Sequence, residues 1–160
     1  MKTKMFALSV ALLTSFSLLA QVEPVGKDKV AIGGYDLVAY FKANKAVKGS
    51  PKIQAMYDHV IYYFSTAEDK DIFTKNPEAY LPQYDGYCAL AVGTKKKKVS
   101  INPETFKITD GKLYLFYNAT LPLGHEKFNS LEPWNEDEAN LIKKADANWP
   151  SLKDTKRHVK

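Results

Sequence analysis

Cysteine is nearly missing from this 160-residue sequence: Cys88 stands alone, with three histidines, His59, His125 and His158. A single thiol excludes a disulfide within the chain. The spacings C-x-x-C, H-x-x-x-H and H-E-x-x-H are absent, so no local motif specifies a metal site. Also lacking are an internal repeat, a low-complexity tract, an interdomain linker and a second long apolar run. A large excess of either charge is lacking as well. Lysine and arginine number 23 against 18 acidic residues, a formal net charge of +5.

What is present begins with a leader-like segment. Lys2 and Lys4 precede an uncharged apolar run over 5–19, and the small residue Ala20 follows, the pattern of a secretory signal peptide over 1–20. The run is short for a membrane span of about 20 residues, although an uncleaved anchor is the other reading. Gln21 stands where a lipoprotein would carry its acylated cysteine. The expectation is export, periplasmic or secreted, with no stable membrane span after cleavage. Without its two lysines the charge falls to +3 (21 Lys and Arg against 18 Asp and Glu). That residue of positive charge lies mainly in Lys95–Lys98 and in a basic tail over 153–160. Export makes nucleic acid a poor partner, and an anionic envelope surface fits the charge better.

The remaining chain has the size of one domain that buries about two-thirds of its unfolded surface without disulfides. Its boundaries are expected at 21–152. Gly33-Gly34 breaks the chain before the apolar anchors Val38, Tyr40 and Phe41. Two runs rich in aromatic and β-branched residues flank Asp58-His59, predicting a β-hairpin over about 53–65. Ser65 or Thr66 caps a short helix over about 66–76, with Glu68 and Asp69 in its first turn and Asn76-Pro77 as its stop. Asp85-Gly86 turns the chain into C-A-L-A-V. Asp110-Gly111 is a strong type I′ signal for a second hairpin over about 106–117. Residues 118–130 read as a loop. Trp134, Leu141, Ile142, Ala145 and Trp149 recur at helical spacing, predicting a C-terminal helix over about 134–148 that Pro150 ends. The fold class is α+β, a small single domain with two hairpins.

The pieces G-Y-D-L-V-A-Y-F, Y-Y-F-S, F-x-x-N-P-x-x-Y, Y-x-G-Y-C-A and G-K-L-Y-L-F-Y-N, with A-D-A-N-W-P-S-L at the end, occur in this order. By them the chain resembles the YHS domain family in its exported single-domain form. The resemblance covers nearly all of the sequence after the leader. It implies a small treble-clef-like core and, in the better-known modules, heavy-metal binding through cysteines of D-P-V-C-G-M and F-C-S-x-x-C segments. This chain departs at those positions. Ala39 replaces one ligand cysteine in Asp36-Leu37-Val38-Ala39, and both cysteines are missing from the segment that starts at Phe64. A thiolate site needs Cys or His at matched spacing, so the family's site does not carry over.

Cys88 is then the centre of any chemistry. As a ligand it suits Cu(I) or a similar ion, copper or zinc, with His59 or His125 as second donor and Asp36 close by. If C-A-L-A-V opens a helix, the thiol also lies where a helix dipole favours the thiolate. The opposing reading is a small, inert core residue, which the neighbours Tyr87, Ala89, Leu90 and Ala91 favour. His59 otherwise reads as a solvated turn residue, and Asp36 as a helix cap or turn former. The many tyrosines would line a pocket or pack the core. Three functions follow from these readings. The first is a non-catalytic binder of a metal ion or small ligand. The second is a structural or protein-interaction module of the cell envelope with Cys88 as core. The third is an enzyme with Cys88 as nucleophile.

Overall fold

The computed structural model describes residues 21–121 and 126–155. The expected signal peptide, His125 and His158 lie outside them. Among the described residues there are five α-helices and three two-stranded antiparallel hairpins, a mixed α and β domain. No described helix is long and apolar enough to cross a membrane.

The chain enters through bridges that pair Val22 with Ile101 and Val30 with Ile61. The first helix, α1 (Leu37–Ala43), starts where Asp36 accepts from the N–H groups of Val38 and Ala39 and ends at Asn44 in a left-handed conformation. Strands β1 (Ser50–Tyr57) and β2 (Val60–Phe64) form the first hairpin, with a register shift between Ser50 and Gln54. Both turn residues, Asp58 and His59, are left-handed (φ 47° and 62°), so even this weak dipeptide makes a type I′-like turn. Helix α2 (Ala67–Lys75) is capped by Thr66, whose Oγ1 accepts from Asp69 N at 3.0 Å. Helix α3 (Ala89–Lys95) follows Cys88 directly.

Strands β3 (Asn102–Thr109) and β4 (Lys112–Phe116) form the second hairpin across Asp110-Gly111, both left-handed. Its alternation divides the core. Leu113 and Leu115 face a cluster with Ile32, Leu37, Val38, Tyr40, Phe64 and Phe73. Tyr114 and Phe116 face a second cluster with Tyr84, Trp134, Leu141 and Ala145. Helix α3 is shared in the same way, Cys88 and Ala91 joining the first cluster and Ala89 and Val92 the second. Opposite pointing of successive strand residues produces the two cores from one strand.

Residues 118–130 are more than a loop. Strands β5 (Asn118–Thr120) and β6 (Lys127–Asn129) pair as a third hairpin. The C-terminal helix is also divided, into α4 (Leu131–Glu136) and α5 (Glu138–Leu152). The break at Asp137 lets Trp134 lie fully buried against Tyr114 and Phe116 while its indole N–H donates to Glu138 Oε1 at 3.1 Å. Pro150 does not end α5. It removes only one bond near the helix end, and Lys153 N still donates to Trp149 O at 2.9 Å. Helix α5 holds α3 by Asn148, whose Nδ2 donates to the carbonyls of Val92 and Gly93, groups that the last turn of a helix leaves unpaired.

Candidate functional site

The three candidate ligands among the described residues, Cys88, His59 and Asp36, are not gathered in one place. Asp36 is fully buried and committed to structure. Oδ1 accepts from Val38 N (2.9 Å) and Ala39 N (3.3 Å), and Oδ2 from Ser65 N (2.7 Å) and Ser65 Oγ (2.8 Å). It is the helix cap that one reading anticipated, and it also ties α1 to the end of β2. His59 is exposed on the first hairpin turn. His125 lies outside the described residues. Among the described residues no three His, Cys, Asp or Glu side chains come together as a metal-holding group, so Cys88, His59 and Asp36 do not form a common site.

Cys88 is delivered by an unusual turn. Tyr84, Asp85 and Gly86 are all left-handed (φ 56°, 51° and 82°), a conformation that costs about 1–2 kcal/mol for each residue with a Cβ. Tyr84 is held there by burial between Tyr114 and Trp149 and by its hydroxyl, which donates to Asp146 Oδ1 at 2.9 Å. Burial first, and then the Asp146 carboxylate, push the Tyr84 phenol far above its ordinary value. The turn began one residue earlier than Asp85-Gly86 alone would indicate.

From this turn Cys88 takes the N-cap position of α3, yet its side chain makes no cap hydrogen bond. It points instead to Ser130, Sγ to Oγ 3.2 Å. Ser130 Oγ also bonds Tyr117 O at 2.9 Å. A hydroxyl has one hydrogen, and a carbonyl only accepts, so that hydrogen goes to Tyr117. The thiol hydrogen therefore goes to Ser130. The only side-chain partner of Cys88 among the described residues is thus a serine hydroxyl, not the histidine base that would activate a nucleophilic thiol.

Cys88 and Ser130 form the deep end of a cavity of about 170 Å³. One wall is α3, through Leu90, Ala91, Thr94 and Lys95; the other is the third hairpin and its flanks, through Tyr117, Leu121 and Phe128, with Val99 between. Burial orders the lining: Cys88 and Ser130 are 1% exposed, whereas Leu121 and Phe128 are 39% and 37% exposed and form the rim. Ser130, Leu121 and Phe128 carry no motif, and the third hairpin has three-residue strands. Nothing local in the sequence ties them to Cys88.

A second, larger cleft of about 560 Å³ lies by the first hairpin turn, among Tyr57, Asp58, Tyr62, Glu78, Asp85 and Lys153. Burial, assisted by Asp58, Tyr57 and Asp85, pushes the Tyr62 phenol up to about 12. Its three carboxylates are exposed, and Glu78 already accepts from Tyr57 Oη at 3.2 Å. Pro24, Ile32, Val60 and Leu81 also line it, so the cleft is of mixed character, whereas the Cys88 cavity exposes almost wholly apolar surface. No family model matches the chain, and neither does any curated protein or solved structure.

Proposed function

We propose that this chain is an exported YHS-type domain that binds a small apolar ligand in the Cys88 cavity without catalytic turnover. The observation that carries the reading is the cavity itself, with an apolar wall, a buried thiol and hydroxyl at its deep end and an apolar rim. An engineered cavity of comparable size, about 150 Å³ and lined by aliphatic and aromatic side chains, takes benzene. The thiol gives its hydrogen to Ser130 and Ser130 gives its own to Tyr117 O, so an apolar guest leaves neither donor orphaned.

The YHS reading gains support from the two segments that hold the metal in the better-known modules. Here Asp36, at the start of one, accepts from Ser65 in the other. Ser65 stands at one cysteine position and Glu68 or Asp69 at the other, and Lys42 Nζ reaches Glu68 Oε1 at 3.0 Å and Asp69 Oδ1 at 2.8 Å. A carboxylate, a hydroxyl and an ammonium cross-link what a metal would otherwise join, consistent with a treble-clef-like core kept without its ion.

Binding is tested by alkylating Cys88 with iodoacetamide in native buffer while 1-hexanol is titrated in. The expected result is a rate that falls to a plateau as the alcohol fills the cavity, and no such protection in Ala91→Phe, which fills the cavity from α3. A rate that hexanol leaves unchanged in the wild type would sink the reading. A second reading, a soft metal ion at Cys88, rests on this lone thiol facing a cavity rather than solid core. Equal uptake of anaerobic Cu(I) by wild type and Cys88→Ser would remove it.

A further inference from the structure

The lining of the Cys88 cavity contains one charge, and it is unspent. Lys95 lies on the wall formed by α3 and is exposed. The ion pairs among the described residues use Lys42 and Lys107, so none of them engages Lys95. A lysine in the last turn of a helix is ordinarily explained by the helix dipole, which favours a cation at any position of that turn. The dipole does not account for its place on the wall of an apolar cavity, next to exposed Thr94 and across from Leu121 and Phe128. Those two residues are themselves conspicuous: among the described residues only Val25, Met56, Leu121 and Phe128 are large, apolar and exposed, and two of the four meet at this rim.

Along its axis the cavity therefore runs from a closed end, where the Cys88 thiol and Ser130 hydroxyl are already hydrogen-bonded, past apolar walls to an apolar lip beside a free ammonium group. We infer that its ligand is a single-chain amphiphile with an anionic head, a short or medium-chain carboxylate. The tail enters toward Cys88 and the carboxylate stays at the mouth on Lys95. This rests on the apolar-ligand reading above and adds the head group and its partner. A simple apolar guest needs no cation at the mouth. A purely polar anion gains nothing from Leu90, Ala91, Val99 and Tyr117. Only a molecule with both parts uses the whole lining.

The size of the cavity sets a chain-length signature. Each buried methylene contributes about 0.8 kcal/mol, or about fourfold in affinity. A cavity of this size accommodates a tail of about six carbons, judged by its benzene-sized counterpart. Affinity in the series butanoate, hexanoate, octanoate and decanoate is thus expected to climb steeply and then flatten.

The test compares sodium hexanoate with 1-hexanol by protection of Cys88 from alkylation, in the full chain. The ratio of their affinities is expected to fall about fivefold in Lys95→Gln, to be restored in Lys95→Arg and to stay at the wild-type value in Lys96→Gln, since Lys96 does not line the cavity. Added salt should weaken hexanoate and leave hexanol unchanged. A ratio that Lys95→Gln does not move would overturn the head-group assignment and leave the apolar cavity standing. Failure of both ligands to protect Cys88 would overturn the two readings together.

Discussion

Cys88 Sγ and Ser130 Oγ lie 3.2 Å apart at the closed end of the cavity, joined from positions 42 residues apart in the chain. Because Ser130 gives its hydrogen to Tyr117 O, the serine is the acceptor that satisfies the thiol. Ser130→Ala removes that acceptor and leaves a buried donor unpaired, at a cost of about 1–2 kcal/mol. Cys88→Ser keeps a donor at the same place and should cost clearly less. Urea denaturation followed by circular dichroism checks the order. A Ser130→Ala variant as stable as wild type would mean that the pair is incidental.

Asp36 gives a larger effect. Asp36→Ala loses a helix cap, typically about 1 kcal/mol, and strands the half-buried N–H and hydroxyl of Ser65, together about 2 kcal/mol more. The expected total is about 3 kcal/mol, read as a lower urea midpoint with the slope unchanged. Asp36→Asn retains an oxygen for the cap but turns an amide N–H₂ toward a donor, so it should recover only part of the loss. Full recovery by asparagine would show that the Ser65 contacts carry no weight.

These two residues also mark where the sequence was legible. The first two hairpins follow from alternation and from dipeptides that tolerate the left-handed region, and Thr66 and Asn76 bound α2 as their chemistry dictates. Asp36 could be read as a cap, but α1 could not be read as a helix. Its seven residues, L-V-A-Y-F-K-A, are too few and too uniformly apolar to show a helical period. The third hairpin was hidden because three-residue strands have no alternation to detect. The long period from Trp134 to Trp149 concealed a break at Asp137 that only the burial of Trp134 requires. Cys88 stood out by being alone. Ser130 and Lys95 did not, because their roles arise from an approach between α3 and the third hairpin that no spacing encodes.

The Lys42–Asp69 pair gives an acid-side prediction. Burial would raise the Asp69 carboxyl, but Lys42 above all, with Thr66, holds it below its ordinary value. The Asp69 and then Glu68 carboxylates push Lys42 up to about 12. A depressed carboxyl stabilises the fold above its unfolded value, about 4, and that contribution disappears as pH falls through the native value. Thermal stability should therefore be flat from pH 7 to 5 and decline below about 4. Asp69→Asn should start lower and decline less over the same acid range. The lysine side works in reverse: its contribution is complete below about 10.5 and is lost as pH rises through about 12. An acid limb identical in wild type and Asp69→Asn would exclude this pair as its source.

Two glycines separate crowding from backbone conformation. A Cβ on Gly49 would lie 2.5 Å from Tyr63 C, 2.6 Å from Tyr63 O and 2.7 Å from Phe64 N. These are backbone atoms of β2 and cannot rotate aside. Gly49→Ala must push its segment off β2, strain its bond to Gly34 O (2.8 Å) and cost about 1–3 kcal/mol. Gly111 is the opposite case, with nothing within 4 Å but φ at +69°. Gly111→Ala should cost about 1 kcal/mol through conformation alone. Amide exchange distinguishes them. Gly49→Ala should speed exchange at Ile61, whose N–H donates to Lys29 O, because that bond depends on the same packing of the chain entry on β2. Gly111→Ala should leave Ile61 protected relative to global unfolding and act only at the β3–β4 turn. Equal acceleration at Ile61 in both variants would mean that the first hairpin has no separate dependence on Gly49.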